Sequence, residues 1–422
     1  MKTFKSHVFV NVLFTIMKTL VFVYSIYLAS LYLEPALLGM VLLFRRQGGV
    51  WASALNLGLS QSILKYRSSA SEEQGNGEYY TASIDICLLV SCVFLVASSL
   101  FLDSMSKELF STSDSEIAFY FSIYVVGIMF NYLAYSSWLS ILKFPIANSV
   151  ELFSLGFTFI VAIVIFRVTG SEILFWKILS ISCITISVSF LLLFIVRENP
   201  SYFLFSLKRF KNIASKLVVL KFGLPRGLSA FLDGVLYTIG PWLLLNDKKE
   251  TGFMILSLSI IKLLQTAITP VAQVISLRVI NSDKGILGEQ RRLLLILSIS
   301  ILMAFSGIAF YLLFKNEILG LWLGDNAVFV MFYLDELIYF MPALAGFYLF
   351  RNYVDLHYRF PYTTVFLIVW FIVFYLSYES LTLDALTDKE LVLTSMKNSM
   401  YVFYIYLSSC SFYLIQEIRR KA

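Results

Sequence analysis

Charge is scarce in this sequence, at 14% of 422 residues, where a soluble domain averages about 25%. So few charges cannot cover a water-facing surface, which excludes an ordinary soluble domain. Histidine is scarcer: His7 is terminal and His357 falls in a short loop, so no Cys/His metal set can form. The four cysteines, Cys87, Cys92, Cys183 and Cys410, all lie in apolar runs and form no C-x-x-C pair. They read as small apolar filler rather than as disulfides or redox groups. No Walker A sequence, nucleophile elbow or H-E-x-x-H appears, which removes the commonest routes to ATP hydrolysis, acyl transfer and zinc catalysis. Neither an S4-like arginine series nor a selectivity-filter loop is present. The expectation is therefore no catalytic residue, no metal and no cofactor.

Apolar residues are abundant: 59% hydrophobic, 17% aromatic, with a mean hydropathy of +0.80. A membrane crossing takes about 20 predominantly apolar residues over about 30 Å of hydrocarbon. On that measure spans fall near 8–33, 36–64, 81–102, 117–142, 146–166, 173–196, 217–245, 252–276, 293–314, 327–350, 361–378 and 391–415. The sequence thus predicts an all-α polytopic membrane protein of about twelve transmembrane helices. Met1 to His7 is a short basic start, and the run after it is too long for a signal-peptide core, so the first helix is expected to stay.

Lys and Arg collect on the cytoplasmic side of such proteins. With the N-terminus inside, nineteen fall in inside segments and six outside, which places both termini in the cytoplasm. The net charge of +6 then reflects inside loops against an anionic leaflet and calls for no nucleic acid. The longest connection, 197–216, alternates aromatic and basic residues and reads as an amphipathic interfacial segment. The expected organisation is an N-terminal six-helix bundle over 1–200, a cytoplasmic linker over 201–216 and a C-terminal six-helix bundle over 217–422. Shifting the second half by 213 positions aligns Tyr24 with Tyr237, Gly39 with Gly252, Ala54 with Ala267 and Lys65 with Arg278, without a gap. Two halves in the same orientation are parallel repeats about an axis along the membrane normal. Such bundles are expected to flank a central cavity.

Charges inside spans are costly and point to function. Lys18 lies ten residues into the first helix; Arg45 and Arg46 lie deep in the second, Arg226 in the seventh and Lys262 in the eighth. The repeat makes these equivalent helix pairs. Such cations either line the cavity or are held by acids and backbone carbonyls; cavity lining is the expectation, with all five as substrate-binding candidates. Lys177 and Lys221 sit near span ends and are expected to snorkel, while Lys397 lies two turns in and fits either reading. Among the acids, Asp233 is deepest and shares a helix face with Arg226, about 10 Å along the axis. Asp233 and then Glu151 are the ion-coupling candidates; Asp85, Asp335 and Glu336 lie nearer span ends. An excess of deep cations suits an anionic, phosphate-bearing substrate. Gly48-Gly49 and the Gly223-Leu224-Pro225-Arg226-Gly227 run mark bends or close helix approaches.

Three stretches carry a family resemblance: YLEPALLGMVLLFRRQGGVWASALNLGLSQSILKYRS (32–68); FGLPRGLSAFLDGVLYTIGPWLLL (222–245) with ETGFMILSLSIIKLLQTAITPVAQVISLRV (250–279); and ILGLWLGDN (318–326). Together they resemble the polysaccharide transporter family of the multidrug/oligosaccharidyl-lipid/polysaccharide exporter (MOP) superfamily. The family often has an Asp-Arg pair late in its seventh helix; here Asp233 comes earlier and no Arg follows. The resemblance implies a flippase of a bacterial inner membrane. It would move an undecaprenyl-pyrophosphate-linked O-antigen or capsular repeat unit to the outer leaflet by alternating access, coupled to an ion gradient. Its implied partners are the lipid-linked oligosaccharide, membrane lipids and other polysaccharide-assembly proteins. Two alternatives stand beside it. A drug or cation antiporter of the same superfamily is disfavoured by the cationic excess, and a membrane polymerase or ligase by the lack of a large outside loop.

Overall fold

The structure, a computed structural model, describes residues 2–68, 76–198, 213–262, 286–357, 360–382 and 386–421, and these are helical almost throughout. The helices are α1 (Lys2–Tyr32), α2 (Pro35–Leu55), α3 (Leu59–Ser68), α4 (Asn76–Leu100), α5 (Leu102–Phe110), α6 (Ser115–Ser140), α7 (Phe144–Glu151), α8 (Thr158–Thr169) and α9 (Glu172–Glu198). They continue as α10 (Ile213–Leu236), α11 (Ile239–Leu243), α12 (248–262), α13 (Ile286–Leu323), α14 (Ala327–Leu337), α15 (Met341–His357), α16 (Tyr362–Leu381) and α17 (Asp388–Lys421). Eleven of the twelve expected spans coincide with helix, as does the described part, 252–262, of the eighth. Among the described residues, seven helical stretches are long and apolar enough to cross a membrane unaided, one of them the continuous run Leu293–Arg351 that holds two expected spans. The expected linker falls largely on 199–212, outside the described residues, as does the inside end of the eighth span.

Helix α2 runs unbroken through Gly48-Gly49; the interruption of this span comes later. Leu57 (φ 51°) and Gly58 (φ 70°) take left-handed backbone and separate α2 from α3. This geometry is set by contact: a Cβ on Gly58 would fall 1.9 Å from the Gly223 carbonyl oxygen, and one on Gly227 would fall 2.6 Å from the Gly58 nitrogen. The G-x-x-x-G of α10 thus brings two backbones together, which only glycine permits. Gly48 instead makes room for a ring, since its Cβ would lie 2.7 Å from Cδ1 of Tyr124.

The structure contains two compact units, Phe9–Leu33 with Phe44–Val235, and Met1–Val8 with Glu34–Leu43 and Leu236–Ala422. In the first, α6 is the central helix, with 78% of its span buried, and it packs most extensively on α9. Phe44, Phe110, Phe121, Tyr124 and Trp176 form a buried aromatic cluster, with Phe44 and Trp176 centroids 4.6 Å apart. The short helix α5, which hydropathy alone does not reveal, delivers Phe110 to it. In the second unit, α12 is tied to α14 by Ser257, which donates to the Val330 carbonyl at 2.8 Å. Phe347 stands edge-on to Phe403 and Tyr406 between α15 and α17. Gly39 and Gly252, equivalent under the 213-residue shift, meet here: a Cβ on Gly252 would lie 2.8 Å from the Gly39 Cα. Large apolar side chains such as Leu313 (73%) and Leu321 (86%) stand exposed, as lipid-facing positions must.

The charge bias predicts an orientation that can be measured. Reporter fusions at Asp114 and Asp384 are expected to read outside, and those at Asn212 and Ala422 inside. An inside reading at Asp384 would break the twelve-span topology.

Candidate functional site

The candidate residues of the first unit are organised around an irregularity in the fifth span. Between α7 and α8 the chain makes a π-helical turn, Leu152–Phe157. Widening a helix by one residue removes i→i−4 bonds, and side chains here supply substitutes. Ser154 donates to the Val150 carbonyl at 2.6 Å, Thr158 to the Ser154 carbonyl at 2.6 Å. Asn131 of α6, fully buried, donates to Ser154 Oγ and to the Val150 carbonyl. Gly156 faces α1, where its Cβ would lie 2.9 Å from Val21 Cγ1.

Three candidates converge on this turn. Lys18 of α1 forms an ion pair with Glu151 at 2.7 Å, with side chains 26% and 28% exposed, and its ammonium lies 5.9 Å from the Tyr135 ring centroid. Arg45 of α2 donates through Nη2 to the Leu155 carbonyl at 3.0 Å. Its guanidinium stacks over Phe159, 4.0 Å from the ring centroid, and interacts with the buried Tyr124 hydroxyl. Lys18 is held by an acid and Arg45 by a carbonyl, yet both remain partly exposed. A guanidinium has five N–H donors, more than its contacts to the Leu155 carbonyl and the Tyr124 hydroxyl require.

Tyr132 of α6 links this group to Asp233. It hydrogen-bonds Ser53 and lies within electrostatic reach of both Glu151 and Asp233. Asp233 is buried at 8% exposure and Arg226 at 3%. Arg226 donates to the Phe222 carbonyl at 2.9 Å and lies 3.7 Å from that ring's centroid. Toward the C-terminal end of α3, the Lys65 ammonium has its pKa lowered by burial and then by the charge of Arg226, so the positive field of this unit extends to that end of the helix. Arg46 of α2 is partly exposed.

Lys262, the remaining candidate, belongs to the second unit. It lies 4.7 Å from the Tyr237 ring centroid, and the Tyr237 hydroxyl shares a 2.6 Å hydrogen bond with that of Tyr348. Ring face and ammonium together make a partly desolvated cation site. Sequence reasoning missed the π turn, Asn131, Tyr132 and Ser53. Polar Ser154 and Thr158 flanking Gly156 were the only local signal. Among the described residues no group of His, Cys, Asp and Glu could hold a metal ion.

No family model and no curated protein sequence matches this chain. Solved structures match it nearly end to end. A multidrug-resistance MATE family transporter of the MOP superfamily, outward-facing, superposes with a TM-score of 0.74 at 14% identity, covering 99% of this chain and 97% of that one. An inward-facing MATE family transporter gives 0.73 at 14%, covering 98% and 99%. A MOP superfamily transporter from Pyrococcus furiosus, with a binding pocket of reverse polarity that suggests a different function, gives 0.71 at 14%, covering 97% and 96%. The chain therefore has an all-helical, polytopic membrane fold of twelve transmembrane helices in two bundles, the MATE-like fold of these structures.

Proposed function

We propose that this protein is a flippase for an anionic lipid-linked oligosaccharide. The substrate is an undecaprenyl-pyrophosphate-linked O-antigen or capsular repeat unit, moved by alternating access across a bacterial inner membrane. The carrying observation is the charge balance of the unit that holds the π turn: of the deep charged candidates there, Lys18, Arg45, Arg46 and Arg226 outnumber Glu151 and Asp233. A pyrophosphate offers several acceptor oxygens to such donors, and a guanidinium binds them bidentately. The lipid tail has no need to leave the bilayer. Reversed pocket polarity in the Pyrococcus furiosus transporter supports the premise that this fold changes cargo by changing charge. A drug or cation antiporter is the second reading, favoured by the MATE similarities and opposed by the same cationic excess. A polymerase or ligase finds no support in a fold shared with transporters from end to end. The test is a leaflet-specific assay of lipid-linked sugar in a strain lacking this protein: accumulation on the inner leaflet supports the proposal.

Energy coupling in this proposal rests on Asp233, with Glu151 second because Lys18 already neutralises it. Asp233 is buried at 8% exposure and shares α10 with Arg226. Asp233→Asn is expected to stop gradient-driven transport while substrate binding stays measurable. If Asp233 only balances charge, the single variant instead loses folded protein and the double change with Arg226→Gln restores it. Liposomes with an imposed pH or sodium gradient separate the two.

A further inference from the structure

Glu151 closes α7 immediately before the π turn, and its carboxylate is the acid that Lys18 meets. The bond runs from Lys18 Nζ to Glu151 Oε2 at 2.7 Å, so it uses one carboxylate oxygen and one of three ammonium hydrogens. Lys18 does not depend on that bond for its place. Val21, three residues further along α1, packs on Gly156 of the turn, whose Cβ would lie 2.9 Å from Val21 Cγ1. The Tyr135 ring of α6 lies 5.9 Å from the ammonium. Packing thus holds the ammonium beside the turn whichever anion it meets. One turn along the same span, Arg45 is held at the Leu155 carbonyl, 3.0 Å from its Nη2. Cations from α1 and α2 therefore reach one span at residues four apart.

The Lys18–Glu151 pair is also open. Its side chains are 26% and 28% exposed, whereas Arg226 is 3% exposed. Breaking a pair sealed in a core leaves a buried charge uncompensated; partners this exposed can be reached by a ligand and by water. To an ammonium, phosphate and carboxylate oxygens are the same kind of acceptor, and a phosphate brings more of them and more charge. The other ionisable groups near the carboxylate are Arg45 on the adjacent turn and Tyr132 of α6, which also lies within reach of Asp233 of α10 and Cys183 of α9.

We infer that Glu151 is an internal competitor for the substrate's phosphate: it holds Lys18 in the empty transporter and is displaced from it when substrate binds. The identity of that phosphate rests on the flippase reading. No covalent bond changes and no proton moves. The ammonium passes from one oxyanion to another, and the freed carboxylate keeps the water that already reaches it. The exchange lowers affinity, because substrate must break an ion pair to bind. It also lets the empty protein reset with Lys18 neutralised, rather than carrying a bare ammonium through the membrane interior, which is costly. Glu151 in this role needs no coupling ion.

The test is a double-mutant cycle on the full-length protein in nanodiscs, with undecaprenyl pyrophosphate as the binding probe. Glu151→Gln should bind about tenfold tighter than wild type, between the worth of an exposed pair and of a buried one. The same variant should move a sugar-bearing lipid more slowly per molecule in liposomes. Lys18→Gln should bind at least tenfold more weakly, and adding Glu151→Gln to it should bring no tightening, because the two residues act as one unit. Unchanged or weaker binding by Glu151→Gln overturns the inference. So does equal tightening in both backgrounds, which would make Glu151 a general repeller of anions. Should Lys18→Gln fail to insert, Glu151→Asp decides: a carboxylate drawn back by one methylene should tighten binding to a smaller degree, and no tightening overturns the inference. If binding follows this pattern and no variant moves the lipid, the flippase reading fails and the competitor stands. If the lipid moves and binding ignores Glu151, the reverse holds. Absence of binding in every variant overturns both.

Discussion

Arg45→Gln is expected to abolish export while the protein remains inserted in the membrane. Arg45 is the cation that the structure places most firmly: its guanidinium is fixed between the Phe159 ring and the Leu155 carbonyl of the π turn, so its orientation needs no ordering when substrate arrives. A hydrogen bond to a charged group is worth about 1.5–3 kcal/mol, or roughly tenfold to a hundredfold in binding. Glutamine keeps a donor for the carbonyl but removes the charge and the stack. Arg45→Lys retains the charge without the fork, so it should export at an intermediate level if charge alone matters and poorly if bidentate contact matters. Export normalised to membrane abundance is the measurement. Arg46→Gln and Lys262→Gln belong to the same series. Full export by all three glutamine variants would remove the phosphate site. A loss of abundance without loss of export per molecule would make Arg45 a brace for the π turn instead.

Gly58→Ala should be the most damaging single methyl in the first unit. The added carbon would lie 1.9 Å from the Gly223 carbonyl oxygen, and the residue would hold φ +70°. Both penalties act on backbone, which cannot rotate away as a side chain can. The α3–α10 contact must then open. Such strain typically costs more than 1–3 kcal/mol, so abundance and thermal midpoint in detergent should both fall. Gly170→Ala also has positive φ but meets nothing within 4 Å, so it serves as the control and should fall much less. Equal melting of the two variants would mean that the glycine contact carries no packing.

The span pattern was legible because lipid enforces it: each crossing must be predominantly apolar over about 20 residues, and the polar loops between such runs mark their ends. The deep cations were legible as exceptions to that rule. What held them was not. The π turn depends on Asn131 reaching across from another helix, and no residue within 152–157 demands it. The break at Leu57-Gly58 likewise depends on Gly223 and Gly227, far along the chain, whereas the conspicuous Gly48-Gly49 pair accommodates Tyr124 within an unbroken helix. Helix α5 is only nine residues long, too short to register as a span, and is held by one buried phenylalanine. Asp335, Glu336 and Lys397 were visible as charges near span ends, but the pairing of Lys315 with Asp335 and of Lys397 with Glu336 required the α13, α14 and α17 surfaces to be seen together.

The most direct measurement uses purified protein in liposomes, with a fluorescent undecaprenyl-pyrophosphate oligosaccharide in the membrane and an imposed pH or sodium gradient. The account predicts protein-dependent movement between leaflets that Arg45→Gln eliminates. Leaflet exchange no faster than in protein-free liposomes, together with gradient-driven export of a cationic dye by the same preparation, would contradict it.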